Sequence, residues 1–416
     1  MRYHLHPSTL RLLLARCVRS LGQGILVVDL SLYLHALGWS AVAIGSVLSV
    51  AGVFGAVLNL AVGVISDRLR RKPFLMAYEA IIALCSLAAL ISERPAVLAS
   101  AIVVAGFGRG AGGAAGPFSS TEQAWLAEKL DPAQRGWVYS LNSALGFFGM
   151  GAGAFLAILP AFFTRWTGGG PSVHIPHAGD YRPLFALVAL ASAINVWLLA
   201  RTSEEYHGPG RKTGRTLPPP QDTVRRQENS ILAKLVLLNS FNGVAIGLVS
   251  PLISYWFARR FQVGPYAIAP VMSATFVLTG FSTLIAGKLS ERFGIVRSVV
   301  WARSVGLVLL VLLPLAPVYW LAALLYLMRS VFNRGTVGAR QALTIGLVRD
   351  ERRGLAASLN TVSMQIPQSV GPTIFGYLMY YGRFALPFYL AAVFQVIYVA
   401  AYRRVFRNYD FPHDEE

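Results

Sequence analysis

Charge is scarce in this chain. Of 416 residues, 13% are charged and 55% hydrophobic, where a soluble domain carries about 25% charged residues. So little charge cannot cover a globule in water, which excludes a soluble enzyme and a disordered scaffold. Cysteine is nearly absent: Cys17 and Cys85 are the two present. Neither stands in a paired or metal-ligand spacing, so no disulfide framework or metal site is expected. Acids are few as well, 19 against 37 Lys and Arg, a net charge of +18. That excess would point to nucleic acid, but the basic residues gather at the ends of apolar runs, so no nucleic-acid partner is expected. Of seven histidines none lies deep in an apolar run, and no phosphate-cradling Gly-rich loop with Lys-Ser/Thr occurs. No enzyme activity and no cofactor are expected.

What is present is long apolar runs. A bilayer core about 30 Å thick needs about 20 apolar residues per helix, and the chain supplies twelve such segments. They are Leu10–Leu37, Ala41–Ile65, Phe74–Ile91, Ala96–Leu126, Val138–Phe162, Leu184–Ala200, Ile231–Phe257, Tyr266–Leu289, Ser298–Leu315, Val318–Leu343, Leu355–Tyr381 and Phe384–Tyr402. None alternates apolar and polar residues as barrel strands do, and the first is too long and too charged near its start for a cleaved signal peptide. With both termini in the cytoplasm, the cytoplasmic pieces hold most of the basic residues, among them Arg68, Arg70, Arg71, Lys72, Arg352, Arg353, Arg403 and Arg404. The opposite loops hold six: Arg94, Arg165, Arg182, Arg259, Arg260 and Arg383. The positive-inside rule therefore puts both ends inside. The expected division is a six-helix bundle over residues 1–200, a polar cytoplasmic linker over 201–230, a second bundle over 231–403 and a tail over 404–416.

The two bundles repeat. Gly63, Asp67 and Arg68 after span 2 recur at an offset of 224 as Gly287, Glu291 and Arg292 after span 8. Gln123, Arg135, Gly136 and Asn142 recur at an offset of 218 as Gln341, Arg353, Gly354 and Asn360. Arg16, Arg19, Gly24 and Ser31 of span 1 fall at an offset of 223 on Asn239, Asn242, Gly247 and Ser254 of span 7. A duplicated six-span unit implies two pseudo-symmetric halves that rock about a site between them.

These residues resemble the major facilitator superfamily. Its Gly-x-x-x-Asp-Arg-x-Gly-Arg-Arg/Lys stretch between helices 2 and 3 is matched by Gly63, Asp67, Arg68, Arg71 and Lys72, with Arg70 in place of the second Gly. Arg109 with Gly112, Gly113 and Ala114 resembles the superfamily's helix-4 motif. The Gly-rich helix-5 motif of drug/proton antiporters is matched loosely by Gly146, Gly149, Gly151 and Gly153, with Ala154 where its Pro stands. A better Gly-Pro match falls on span 11, at Gly371-Pro372. The resemblance covers the chain outside linker and tails. It implies an all-α membrane protein of twelve helices in two pseudo-symmetric bundles, and a proton-relay or substrate-anion role for Arg109.

A charge inside a span costs about 2.5–3.5 kcal/mol on insertion scales, so each needs a reason. Asp29, with Tyr33 one turn on, is expected to face a central cavity and to take up and release a proton, with Arg109 and Glu122 as partners in coupling. Glu122 repeats on Arg340 and is expected to pair across the halves. Arg19, Gln23, Tyr33, Asn239, Asn242 and Arg334 are the expected solute-binding residues. Arg16 is expected to snorkel to headgroups, and Glu79 and Arg303 to be structural. Gly63, Asp67, Arg68, Arg71, Gly287, Glu291, Arg292 and Arg297 are expected to latch the cytoplasmic side, each acid at a helix N-terminus of the other half.

The expected function is proton-coupled secondary transport of a small organic solute, in the direction of export, by a monomer in a bacterial inner membrane. Protons, a small-molecule substrate and membrane lipids are its expected partners. Uptake of an organic anion held by Arg19, Arg109 and Arg334 is the alternative; a passive channel or a non-transporting sensor belongs to a different class.

Overall fold

The structure is a computed structural model that describes residues 6–66, 71–109, 122, 125–126, 132–166, 176–203, 222–337, 340 and 353–407. Asp67 and Arg68 of the expected latch lie outside the described residues. Gly63, Gly287, Glu291 and Arg292 have helical backbones, and the side chains of Glu291 and Arg292 lie outside the described residues too.

The described regular structure is helical. In the first half the helices are α1 (Pro7–Ala36), α2 (Ala41–Ser66), α3 (Arg71–Ile91), α4 (Pro95–Ala105), α5 (Pro132–Leu156), α6 (Leu159–Trp166) and α7 (Arg182–Ala200). In the second they are α8 (Asp222–Gly247), α9 (Ile253–Phe261), α10 (Pro265–Phe293), α11 (Ile295–Leu312), α12 (Tyr319–Gly335), α13 (Arg353–Tyr380) and α14 (Leu386–Phe406). Nine apolar helical segments among the described residues are long enough to cross a bilayer. The fold is that of an all-α membrane protein in two six-span halves.

Three expected spans are interrupted, the fourth and the seventh for a local reason. The fourth stops at Ala105, where Gly106 (φ 71°) and Gly108 (φ 74°) take the left-handed backbone that a residue with a Cβ resists. The seventh breaks between α8 and α9, where Pro251 lacks the N–H that the helix ladder needs. The fifth divides at Ala157–Ile158. In the other direction, α8 starts at Asp222, ahead of the apolar periodicity at Ile231; an acid as first residue favours a helix N-terminus.

Packing repeats between the halves as the sequence does. α1 packs on α5 as α8 packs on α13; α3 packs on α7 as α11 packs on α14; α2 packs on α4 as α10 packs on α12. The halves meet along α2 with α13 and along α5 with α10, again a related pair of contacts. Two equivalent glycines allow the intra-half pairs to approach. A Cβ on Gly24 would stand 2.1 Å from the Met150 carbonyl oxygen, and one on Gly247 2.0 Å from that of Gln368. Met150 and Gln368 are themselves related by the offset of 218 found in the sequence.

The ends of the molecule differ. One end, here the terminal face, carries the start of α1 and the end of α7: Arg11 donates to the Arg201 carbonyl at 2.5 Å, and Lys72 to those of Ala200 and Thr202 at 2.6 and 3.0 Å. Among the described residues the apolar core there divides in two. Leu12, Leu75, Val138 and Leu199 belong to one cluster, and Leu235, Val299, Tyr402 and Phe406 to another. Toward the opposite, far face one continuous cluster includes Ile25, Ile44, Met150, Trp256, Met272 and Phe375 of both halves. The halves are joined there by Thr373 donating to Ser49 through its N–H (3.1 Å) and facing its hydroxyl at 2.7 Å. His35 also packs edge-on to Tyr255.

Candidate functional site

In the first half a guanidinium sits between two carboxylates. Arg19 of α1 donates through Nε to Glu79 of α3 and through Nη1 to Glu122 at 2.5 Å. All three residues are at most 5% exposed. Glu79 shares the inward face of α3 with Leu75, Tyr78 and Ser86, a helical spacing that carries the acid toward α1. Arg16, one turn before Arg19, is buried against Gly146 of α5 and within electrostatic range of Glu122. Two bases and two acids therefore balance, which is what allows them out of water.

The arrangement corrects several expectations. Arg16 does not snorkel; it is 3% exposed. Glu122 pairs with Arg19 in its own half, not with Arg340. Arg19, expected to hold solute, is committed to two ion pairs, and one of its partners is Glu79, for which a structural role was expected. The sequence held a signal for that partner: Glu79 and Arg303 are related by the offset of 224, so a charge recurs at one place in both halves with its sign reversed.

Beside this cluster lies a small cleft of about 30 Å³ between α1, α3, α7 and the turn after α4, lined in part by Gln23, Tyr78, Glu79, Arg109 and Ser192. Arg109 belongs to that turn and not to a helix face, because the glycines before it end α4. Its guanidinium lies against Gly55 of α2 and Gly106, and its Nε and Nη2 have no hydrogen-bond partner among the described residues. Glu79 Oε2, Glu122 Oε1 and Gln23 Oε1 are orphaned likewise.

Asp29 lies further along α1, 2% exposed. It was expected in a cavity shared by the halves. The structure instead puts it at a narrow void inside the first half, lined by Leu26, Tyr33, Tyr181, Leu184 and Phe185. The displacement follows from the rotation of α1, which turns this face to α7. Both carboxyl oxygens, and the hydroxyls of Tyr33 and Tyr181, lack a partner among the described residues. The two rings stand 5.9 Å apart. Leu26 lines both this void and the cleft at Arg109.

The second half has the same plan with the charges changed. Asn242, at the position of Arg19, accepts from Nη1 of Arg303 at 3.0 Å. Asn239 donates to Asn360 Oδ1 at 2.8 Å, a tie between α8 and α13. Both amides thus bridge helices within their half, where they were expected to line a central cavity. Arg334 donates to the Tyr326 hydroxyl at 3.4 Å and stands 5.2 Å over the ring of Phe276. Of the remaining latch residues, Arg71 opens α3 and Arg297 lies in the first turn of α11.

The family model of the Major Facilitator Superfamily matches the chain in two pieces, residues 12–234 and 235–414. An uncharacterized membrane protein of Saccharomyces cerevisiae is 21% identical over 389 residues, covering 87% of this chain and 85% of the relative. Among solved structures, the bacterial homolog of the human lysosomal transporter Spinster, inward-facing and unoccupied, has a TM-score of 0.71 at 15% identity, covering 97% of this chain and 98% of its own. The nucleoside transporter NupG (D323A mutant) has 0.70 at 13%, covering 96% and 100%. A D-xylose-proton symporter has 0.69 at 14%, covering 94% and 96%. At these identities the likeness is one of fold.

Proposed function

This chain belongs to the Major Facilitator Superfamily, and from that premise we propose that it is a secondary active transporter coupling a small organic solute to protons. The observation that carries the coupling is Asp29: a carboxyl enclosed by aromatic and apolar side chains with no hydrogen-bond partner among the described residues. A lone buried charge is costly, so the enclosed carboxyl holds a proton and releases it when α1 and α7 admit water. Arg19, Glu79 and Arg109 line the neighbouring cleft, which shares Leu26 of α1 with the surroundings of Asp29. Alternating access requires a state open on the terminal side and a state open on the far side, and the shared core of the two halves toward the far face is what the first of these needs. The distribution of basic residues favours the terminal side as cytoplasmic, and one chain supplies both halves, so a monomer suffices. Export uses protons entering as the solute leaves.

The test is flux in proteoliposomes under imposed pH gradients of either sign. Gradient-driven accumulation is expected with the wild-type chain. Asp29→Asn should lose at least about tenfold of it while keeping solute exchange at equal pH. Full accumulation by Asp29→Asn would remove the carboxyl from the coupling. Flux that ignores the gradient in the wild-type chain would favour a passive facilitator.

A further inference from the structure

Three arginines in the second half have a charge that nothing described neutralises. Arg303, Arg329 and Arg334 are 2%, 6% and 8% exposed. Arg329 lies within electrostatic range of both others. The contacts of Arg303 are neutral: Asn242, Thr336 at 3.4 Å, and the Tyr398 ring at 5.5 Å. Those of Arg334 are the Tyr326 hydroxyl and the Phe276 ring. Arg329 Nε and Arg334 Nη1 are buried donors without an acceptor among the described residues. In the first half the same depth of burial is balanced by Glu79 and Glu122; here no ion pair forms among the described residues.

Buried cations of one sign repel one another, and each unmet guanidinium N–H forfeits its hydration. Such a set is stable when an anion completes it. We propose that Arg329 and Arg334 form an oxyanion site, and that the transported solute is a small organic anion bearing a carboxylate or phosphate. The planar fork of Arg is suited to either group. Arg334 orients the anion from its stacked position over Phe276, and an aromatic or apolar body packs beside Phe276 and Tyr326. The first half then handles protons and the second the anion. This rests on the transporter reading given above, and its test separates the two.

The purified full chain in detergent is titrated with inorganic phosphate, benzoate, phenyl phosphate and, as a cationic control, benzylammonium, following Tm and heat of binding. Benzoate or phenyl phosphate is expected to raise Tm and bind, and benzylammonium to do neither. Arg334→Gln and Arg329→Gln should each weaken binding about tenfold or more, with Arg334→Lys in between. Monodispersity of each variant on gel filtration guards against misfolding, and the wild-type titration stands regardless of the variants. No anion response in the wild-type chain would overturn the site, as would equal affinity in folded Gln variants. So would an anionic phospholipid that abolishes solute binding at equal concentration, since that assigns the arginines to a headgroup. Gradient-driven movement of benzylammonium but not benzoate would refute the anion site and leave the transporter standing. Anion binding without flux would do the reverse.

Discussion

At Arg19 a single guanidinium is shared by two carboxylates, and all three residues are buried. A buried pair adds little net stability over an apolar replacement, but losing one member leaves a charge uncompensated at a cost of about 3–5 kcal/mol. Glu79→Ala should therefore lower Tm strongly in detergent, and Arg19→Met combined with Glu79→Leu, which leaves Arg16 to balance Glu122, should recover part of the loss. A Glu79→Ala protein as stable as wild type would show that the pair is not formed in solution. The acid at Glu79 and the base at Arg303 could have been linked from their shared offset. Which neighbour each touches could not, because a rotation of α3 or α1 by one residue, about 100°, would aim the group elsewhere. Asp29 makes the same point: its place on α1 was readable, and its facing α7 was not.

At the scale of elements, the close pairs α1 with α5 and α8 with α13 depend on backbone approaching backbone at Gly24 and Gly247. A methyl group at Gly24 would overlap the Met150 carbonyl, so Gly24→Ala should cost about 1–3 kcal/mol. Gly179→Ala, with nothing within 4 Å of the added carbon, should be neutral. Equal thermal stability of the two variants would contradict the packing described. The twelve apolar runs were legible because bilayer thickness sets a minimum length, and the repeat was legible because Gly24 and Gly247 have one job twice. The interruptions were harder to read. Gly106 and Gly108 look like small packing residues in an apolar run until their backbone is seen to be left-handed; Pro251 is the better signal, since it removes a donor wherever it stands.

For the whole molecule, the informative asymmetry is between its ends: among the described residues, one core is shared by both halves at the far face, and the clusters at the terminal face stay within one half. Rocking of two rigid halves would convert one arrangement into its opposite without unpacking either, since the intra-half contacts are carried by α1–α5 and α8–α13 and the inter-half contacts by α2–α13 and α5–α10. The most direct measurement is a pair of distances by double electron–electron resonance, in a chain with Cys17 and Cys85 replaced by Ser. One label pair, at Arg201 and Arg403, spans the halves at the terminal face; the other, at Arg94 and Arg383, spans them at the far face. All four positions are exposed. On shifting pH or adding a transported anion, alternating access predicts that the terminal pair shortens while the far pair lengthens. Both distances unchanged under every condition, or both moving in the same sense, would contradict it.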